Sequence, residues 1–182
     1  SLATPTDGTR YPYRLGVQRA STRARVGEGE PLRSGEVYEV ALQLDGPVER
    51  VAPRYVYVFS LDGNGQTRLL VPGGLISVGE NLLPAPREAL WAPPQQIPLC
   101  RPFEVTPPYG TDTLVRLTNQ TAIPHLDVFE SGPLRRTQAP ASTCQHPLEC
   151  LLFGINAGAT RADATPPVGW SIQRLLLRSL AQ

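Results

Sequence analysis

The run Tyr55-Val-Tyr-Val-Phe59, the segment Asp62-Gly-Asn-Gly65 and the second apolar run Leu69-Leu-Val-Pro72 constrain this chain more than any other feature. Successive side chains of a strand point to opposite faces. Tyr55, Tyr57, Phe59 and Leu61 therefore share one face, and Val56, Val58 and Ser60 the other. β-Branched and aromatic residues suit a pleated surface. Both faces are largely apolar, which predicts a central strand covered on both sides. Asn64-Gly65 tolerates the positive φ angles of a primed turn, so the whole reads as a β-hairpin. Asp62-x-Asn64 also spaces two ligands of a calcium loop. Such a loop needs a bidentate Glu at its twelfth position, and that position is Gly73.

The rest of the chain agrees with a β fold. Its 20 prolines and 16 glycines impose many turns and oppose long helices. A chain of 182 residues makes one domain and is long enough for a real core. We expect a linker or arm over residues 1–12 and a single domain over 13–182. Tyr13 to Val17 reads as a short strand. Val37 to Leu44 alternates, with Tyr38, Val40, Leu42 and Leu44 expected inside and Glu39 and Gln43 outside. Residues 73–98 form a Pro-rich connection around Trp91. Trp91 is read as a lid packed on the core, or as a ligand-stacking indole. Ile97 to Val105 and Thr113 to Thr118 predict two more strands. Pro124 to Glu130 suits one short helix, and residues 131–147 read as loop. Leu148 to Ile155 and Trp170 to Leu180 fit helix or strand. In the latter, Ile172, Leu175, Leu176 and Leu180 make a helical stripe, whereas Trp170, Ile172 and Leu176 make a strand face interrupted by Arg174.

Charge excludes some partners. The 17 basic and 16 acidic residues leave a net charge of +1, with no footprint for nucleic acid. Every basic residue is Arg, which we read as the coding bias of a GC-rich genome. Arg nevertheless forms bidentate pairs and stacks on aromatic rings. No run approaches the ~20 apolar residues of a membrane span. No signal peptide is recognisable, which leaves secretion open, since a mature chain would have lost it. The lack of Met and the start at Ser1 lead us to expect a processed or excised part of a larger protein.

Three segments carry a resemblance: Gly35-Glu-Val-Tyr-Glu-Val40; Tyr55-Val-Tyr-Val-Phe-Ser-Leu-Asp-Gly63 with Leu70-Val-Pro72; and Pro107-Pro-Tyr-Gly-Thr-Asp-Thr-Leu114. Together they resemble a bacterial domain family of unknown function that follows caspase-like peptidases or serine/threonine kinase domains. The resemblance covers residues 34–120 and, more loosely, the closing Thr160-Arg161 and Trp170-Ser-Ile-Gln-Arg-Leu175. It implies a last strand at the C-terminal end. It brings no activity and no site residues with it.

Candidate chemistry is sparse. Cys100, Cys144, Cys150, His125 and His146 invite a Cys–His peptidase reading, but the strand and His-Gly context of a caspase nucleophile is missing. Cys144-x-His146-x3-Cys150 with Cys100 offers four zinc ligands, without the Cys-x2-Cys knuckle. A Cys144–Cys150 disulfide is the preferred reading in an oxidising compartment; the bacterial chain would then be periplasmic or secreted. Cys100 is then a buried small apolar residue. Arg19, Arg23 and Arg25 near Glu28 and Glu30 read as a solvated loop, the rival being a phosphate site that lacks a Walker motif. There is no Gly-x-Ser-x-Gly elbow and no nameable carboxylate pair. Asn119-Gln-Thr121 is a glycosylation pattern without evident meaning.

The expectation is therefore an all-β, immunoglobulin-like sandwich with long Pro-rich loops and one or two short helices. It would be a non-catalytic accessory domain without cofactor or metal. It would bind a protein partner or position and regulate a peptidase or kinase domain of the same polypeptide. Tyr11, Tyr13, Trp91 and Tyr109 are expected as its exposed aromatic surface. Two other classes stay open. One is a carbohydrate- or small-ligand-binding sandwich using Trp91 or Trp170; the other is a hydrolase with an unrecognised site.

Overall fold

The computed structural model describes residues 11–62, 66–124, 126 and 170–181. These residues are mostly β and form two sheets. The elements are β1 (Tyr13–Arg19), β2 (Leu32–Arg33), β3 (Val37–Leu44), β4 (Arg54–Leu61), β5 (Thr67–Val71), β6 (Leu82–Leu83), α1 (Pro86–Trp91), β7 (Gln96–Pro98), β8 (Phe103–Glu104), β9 (Thr111–Asn119) and β10 (Ser171–Leu180). One sheet runs β1-β3-β7, with β8 also on β3; the other runs β2-β10-β9-β4-β5, with β6 also on β4. All pairings are antiparallel except that of β2 with β10.

The hairpin of β4 and β5 forms as its sequence predicts. Its strand is central, flanked by β5 and β9. Val56 and Val58 enter the core between the sheets, together with Tyr13, Leu15 and Val17 of β1 and Tyr38, Val40, Leu42 and Leu44 of β3. Tyr57 and Phe59 face the other way and join Val115, Leu117 and Ile123 in a second apolar cluster. The alternation of one strand thus builds two layers of packing. Asp62 closes the hairpin end from within: its Oδ1 accepts from the Gln66 amide at 2.8 Å. Asn64, the other residue of the calcium spacing, lies outside the described residues.

Several expectations need correction. Glu39 and Gln43 are buried rather than outward. Gln18 Nε2 donates to Glu39 Oε2 at 3.0 Å, and Gln43 lies across Gly16, where an added Cβ would stand 2.5 Å from Gln43 Oε1. The strand predicted over Ile97–Val105 is two short pieces, β7 and β8, both on β3. Pro98 and Pro102 remove amide donors from that stretch, which breaks the ladder. The Pro-rich connection contains β6 and the six-residue α1. Pro86 opens that helix without losing a bond, Glu88 sits in its first turn, and Pro93 and Pro94 prevent its continuation. Trp170–Leu180 forms strand β10 from Ser171 onward. Its helical stripe is accidental: burial alternates with a period of two.

Tyr11, placed in the arm by sequence, is already part of the fold. Its ring is 8% exposed, and its hydroxyl donates to Leu83 O at 3.2 Å. The helix expected over Pro124–Glu130, the loop 131–147 and the segment Leu148–Ile155 lie outside or almost outside the described residues.

Candidate functional site

β1 ends one sheet, and β10 borders the other beside the two-residue β2; the two strands come together along one side of the molecule. Pairing geometry tells which backbone groups point there. Pro12 O accepts from the Asp45 amide at 2.9 Å, so the even-numbered residues of β1 bond to β3 and the odd ones point outward. Ser179 N donates to Gly110 O at 2.8 Å. In β10 the odd-numbered residues therefore bond to β9, and the even ones point to the free edge. Leu180 confirms this, since its carbonyl accepts from Ser34 N at 3.0 Å on the β2 side.

The outward carbonyls of β1 are engaged, as are the N–H groups of Leu15 and Arg19, partly by side chains of the other sheet. Gln173 of β10 reaches across with its carboxamide. Its Oε1 accepts from Leu15 N at 2.7 Å, and its Nε2 donates to Leu15 O at 3.0 Å. This one side chain reproduces both bonds of a strand partner. Tyr13 O accepts from the buried guanidinium of Arg116. Arg116 also donates to Ser171 Oγ at 3.0 Å and lies 5.5 Å from the Tyr11 ring centroid. Burial pushes its pKa down to about 10, a cost opposed by these bonds and by the ring face. Val17 O accepts from Val26 N at 2.8 Å.

The edge of β10 differs. It is paired to β2 only at Ser179 and Leu180. Among the described residues, no hydrogen bond reaches the outward N–H and C=O of Arg174 and Leu176. Arg174 and Leu176 line a cleft of about 260 Å³ between β1, β10 and the segment 25–30. Gln43 also lines it, 7% exposed, with its buried Nε2 lacking a partner. Gly16 is what admits the Gln43 side chain there. The charged lining consists of Arg14, Arg25 and Arg174 against Glu28, Glu30 and Asp45. Glu30 is already tied to Arg19 at 2.7 Å, and that bond holds its carboxyl below the usual range. Among the described residues, Arg14 and Arg174 make no ion pair.

The aromatic surface expected from the sequence is half corrected. Tyr13 is fully buried and donates to Pro94 O at 2.7 Å; Tyr11 is buried beside it, with ring centroids 5.5 Å apart. Each precedes or opens an inward-facing run of β1, which is why they pack as core. Trp91 is 88% exposed at the end of α1, so it is no lid. Tyr109 sits at the exposure expected of a surface residue, and its hydroxyl is 2.8 Å from Ser34 Oγ. The structure does not bring these four together. Neither Trp91 nor Trp170 lines the cleft. The Arg loop is not a phosphate cradle: Arg19 pairs with Glu30 and Glu36, and Arg23 with Glu39.

Cys100 is a half-buried free cysteine, and burial pushes its thiol up. Cys144, Cys150, His125 and His146 lie outside the described residues, and with them the disulfide and zinc readings. Among the described residues, no cluster of three metal-ligating side chains occurs. Gln173, Gln43 and Arg14 went unmarked in the sequence. Only Gln173 left a trace there, as the single amide in the apolar-basic run Trp170–Leu180.

No family model, curated protein or solved structure matches the chain.

Proposed function

We propose that this chain is a non-catalytic accessory module on an immunoglobulin-like frame, which binds a partner and so positions or regulates a peptidase or kinase domain of its own polypeptide. Strand order supports the frame. β1-β3-β7/β8 corresponds to strands A, B and E, and β10-β9-β4-β5 to G, F, C and C′. The chain crosses between sheets at β3–β4, β6–β7 and β8–β9, as that Greek-key connection requires, and the two-residue β2 is an added visit to the second sheet. The link to a catalytic neighbour rests on the sequence resemblance of residues 34–120.

Trp91 is the observation that carries partner binding. A large ring left in water, 88% exposed at the end of α1, gives up the stabilisation it would gain by packing. The segment that follows its helix is tied to β1 and β3: Tyr13 donates its hydroxyl to Pro94 O and Leu44 N donates to Gln95 O. Trp is among the residue types enriched as interface anchors. The test is Trp91→Ala in the parent polypeptide. We expect an unchanged melting temperature for the module, at least a tenfold weaker association with the separately expressed remainder, and no turnover by the isolated chain. Unchanged association, or hydrolysis by the isolated chain, overturns the proposal.

A further inference from the structure

We propose that the open edge of β10 is a docking site for an extended, acidic peptide segment of the partner, added as a strand in the cleft beside Arg174 and Leu176. The inference rests on the accessory-module reading and supplies its binding mode.

Three observations converge on the cleft. First, the outward N–H and C=O of Arg174 and Leu176 are unmatched among the described residues, while on the opposite wall, β1, the outward carbonyls of Tyr13, Leu15 and Val17 and the N–H of Leu15 are filled. Unmatched backbone groups at a strand's spacing fit another extended backbone better than any other ligand. Second, Gln43 places a carboxamide with a buried, unpartnered Nε2 in the same cleft. A strand carbonyl or an acidic side chain accepts from it. Third, Arg14 and Arg174 are cations at the mouth with no ion pair among the described residues, whereas Glu30 is spent on Arg19. Glu28 and Asp45 share the mouth, so the site discriminates by the position of one or two acidic side chains rather than by bulk charge.

The same charges argue against a second copy as the occupant. Arg174, Leu176, Arg178 and Leu180 are the exposed row of β10. Two such strands paired antiparallel about Leu176 set Arg174 opposite Arg178 twice. Like charges directly opposite are destabilising in a sheet, and edge cations are a common guard against self-pairing. An acidic strand meets the reverse situation.

The probe is the acetylated, amidated hexapeptide TVDVTV, titrated into the full chain and followed by amide chemical shifts. We expect saturable binding with shifts at Gly16, Gln43 and Arg174–Leu177. N-Methylation of the alternate peptide amides that face the edge weakens binding at least about tenfold. Leu176→Pro does the same. Its lost N–H points away from β9, so no ladder bond breaks, and an unchanged circular-dichroism spectrum checks the fold. Arg174→Glu reverses the preference towards the peptide TVKVTV. No binding at millimolar peptide, or binding indifferent to both N-methylation and Leu176→Pro, overturns the inference. So does a chain dimer that Leu176→Pro dissociates, since a second copy then holds the edge. The two proposals separate cleanly. If association with the parent polypeptide is lost in Trp91→Ala but kept in Leu176→Pro, the accessory reading stands and edge docking falls. If neither variant changes it, both fall.

Discussion

Replacing Gln173 by Ala removes the one side chain, among the described residues, that stitches β10 to β1 by a two-point bond. Leu15 then loses the acceptor for its N–H and the donor for its C=O, at 2.7 and 3.0 Å. A net hydrogen bond contributes ~1 kcal/mol, so the pair contributes about 2 kcal/mol. For a domain of this size that corresponds to a fall of roughly 4–8 °C in melting temperature. The cost stays near this figure because the site adjoins an open cleft and water can reach part of the vacated position. Gln173→Glu separates the bonds from mere side-chain volume. A carboxylate still accepts from Leu15 N but turns an oxygen towards Leu15 O, where no proton is available. A protonated carboxyl restores both bonds. The folded-state pKa of Glu at this position is therefore raised above its unfolded value of about 4.3. A raised folded pKa gives stability that is complete below the unfolded pKa and lost as pH rises through the folded one. The Gln173→Glu deficit is thus smallest below about pH 4 and largest at neutral pH. Urea unfolding of the three proteins across pH, with the slope m unchanged, measures this. Stabilities within about 0.5 kcal/mol of the parent for both variants at neutral pH would refute the clamp.

Four further outcomes are expected. Tyr57→Phe removes the hydroxyl that accepts from the buried Ile123 amide at 2.7 Å; a loss of about 1–3 kcal/mol in urea unfolding follows, and a neutral result would discount that bond. Phe59→Ala, at a fully buried ring on the outer face of β4, costs about 3–5 kcal/mol by the same assay; an exposed-site value would mean that the second cluster does not pack. Stability falls above about pH 10, because burial raises the pKa of Tyr11, raises that of Tyr13 to about 12 and raises that of Tyr38. Tyrosines with raised folded pKa contribute fully below the ordinary value and lose that contribution as pH rises, while Arg116, lowered to about 10, works in the opposite sense; unfolding curves that are flat or improve towards about pH 12 would contradict the three-to-one balance. Cys100 reacts with iodoacetamide more slowly in the native chain than in urea at the same pH, since burial disfavours its thiolate; peptide mapping of the alkylated site checks it, and equal rates would refute the burial.

Side-chain alternation made much of the fold legible. Tyr55 to Leu61 announced a strand covered on both faces, and both faces are core. Val37 to Leu44 was readable as a strand but not in its polar half. Glu39 and Gln43 have the residue types of a solvated face, and only the neighbouring strand reveals Gln18 and Gly16 beneath them. Tyr11 and Tyr13 failed for a related reason. Two tyrosines beside Pro12 after a polar stretch look like a loop, yet their rings fill the core edge, and their hydroxyls reach Leu83 O and Pro94 O. Those acceptors lie 72 and 81 residues away, beyond any local pattern. Trp170 to Leu180 shows the limit of periodicity itself. Leucines at helical and strand spacing coincide there, and the ladder with β9 decides between them.

The candidate site was invisible for a deeper reason. An open sheet edge is a property of the backbone, and every residue but proline carries the same N–H and C=O. Whether those groups at Arg174 and Leu176 are matched depends on how far β2 runs beside β10. That pairing stops after two residues, because the chain between β1 and β2 turns back along β1 at Val26 before reaching the second sheet. No side chain in β10 encodes that detour. What β10 does encode is the consequence: guanidiniums at Arg174 and Arg178 on the exposed face, and an amide at Gln173 turned inward to satisfy its neighbour. A strand meant only for the core would carry apolar residues at these places. One that must stay open without pairing to itself needs charge of a single sign along its exposed row, and that is the arrangement found.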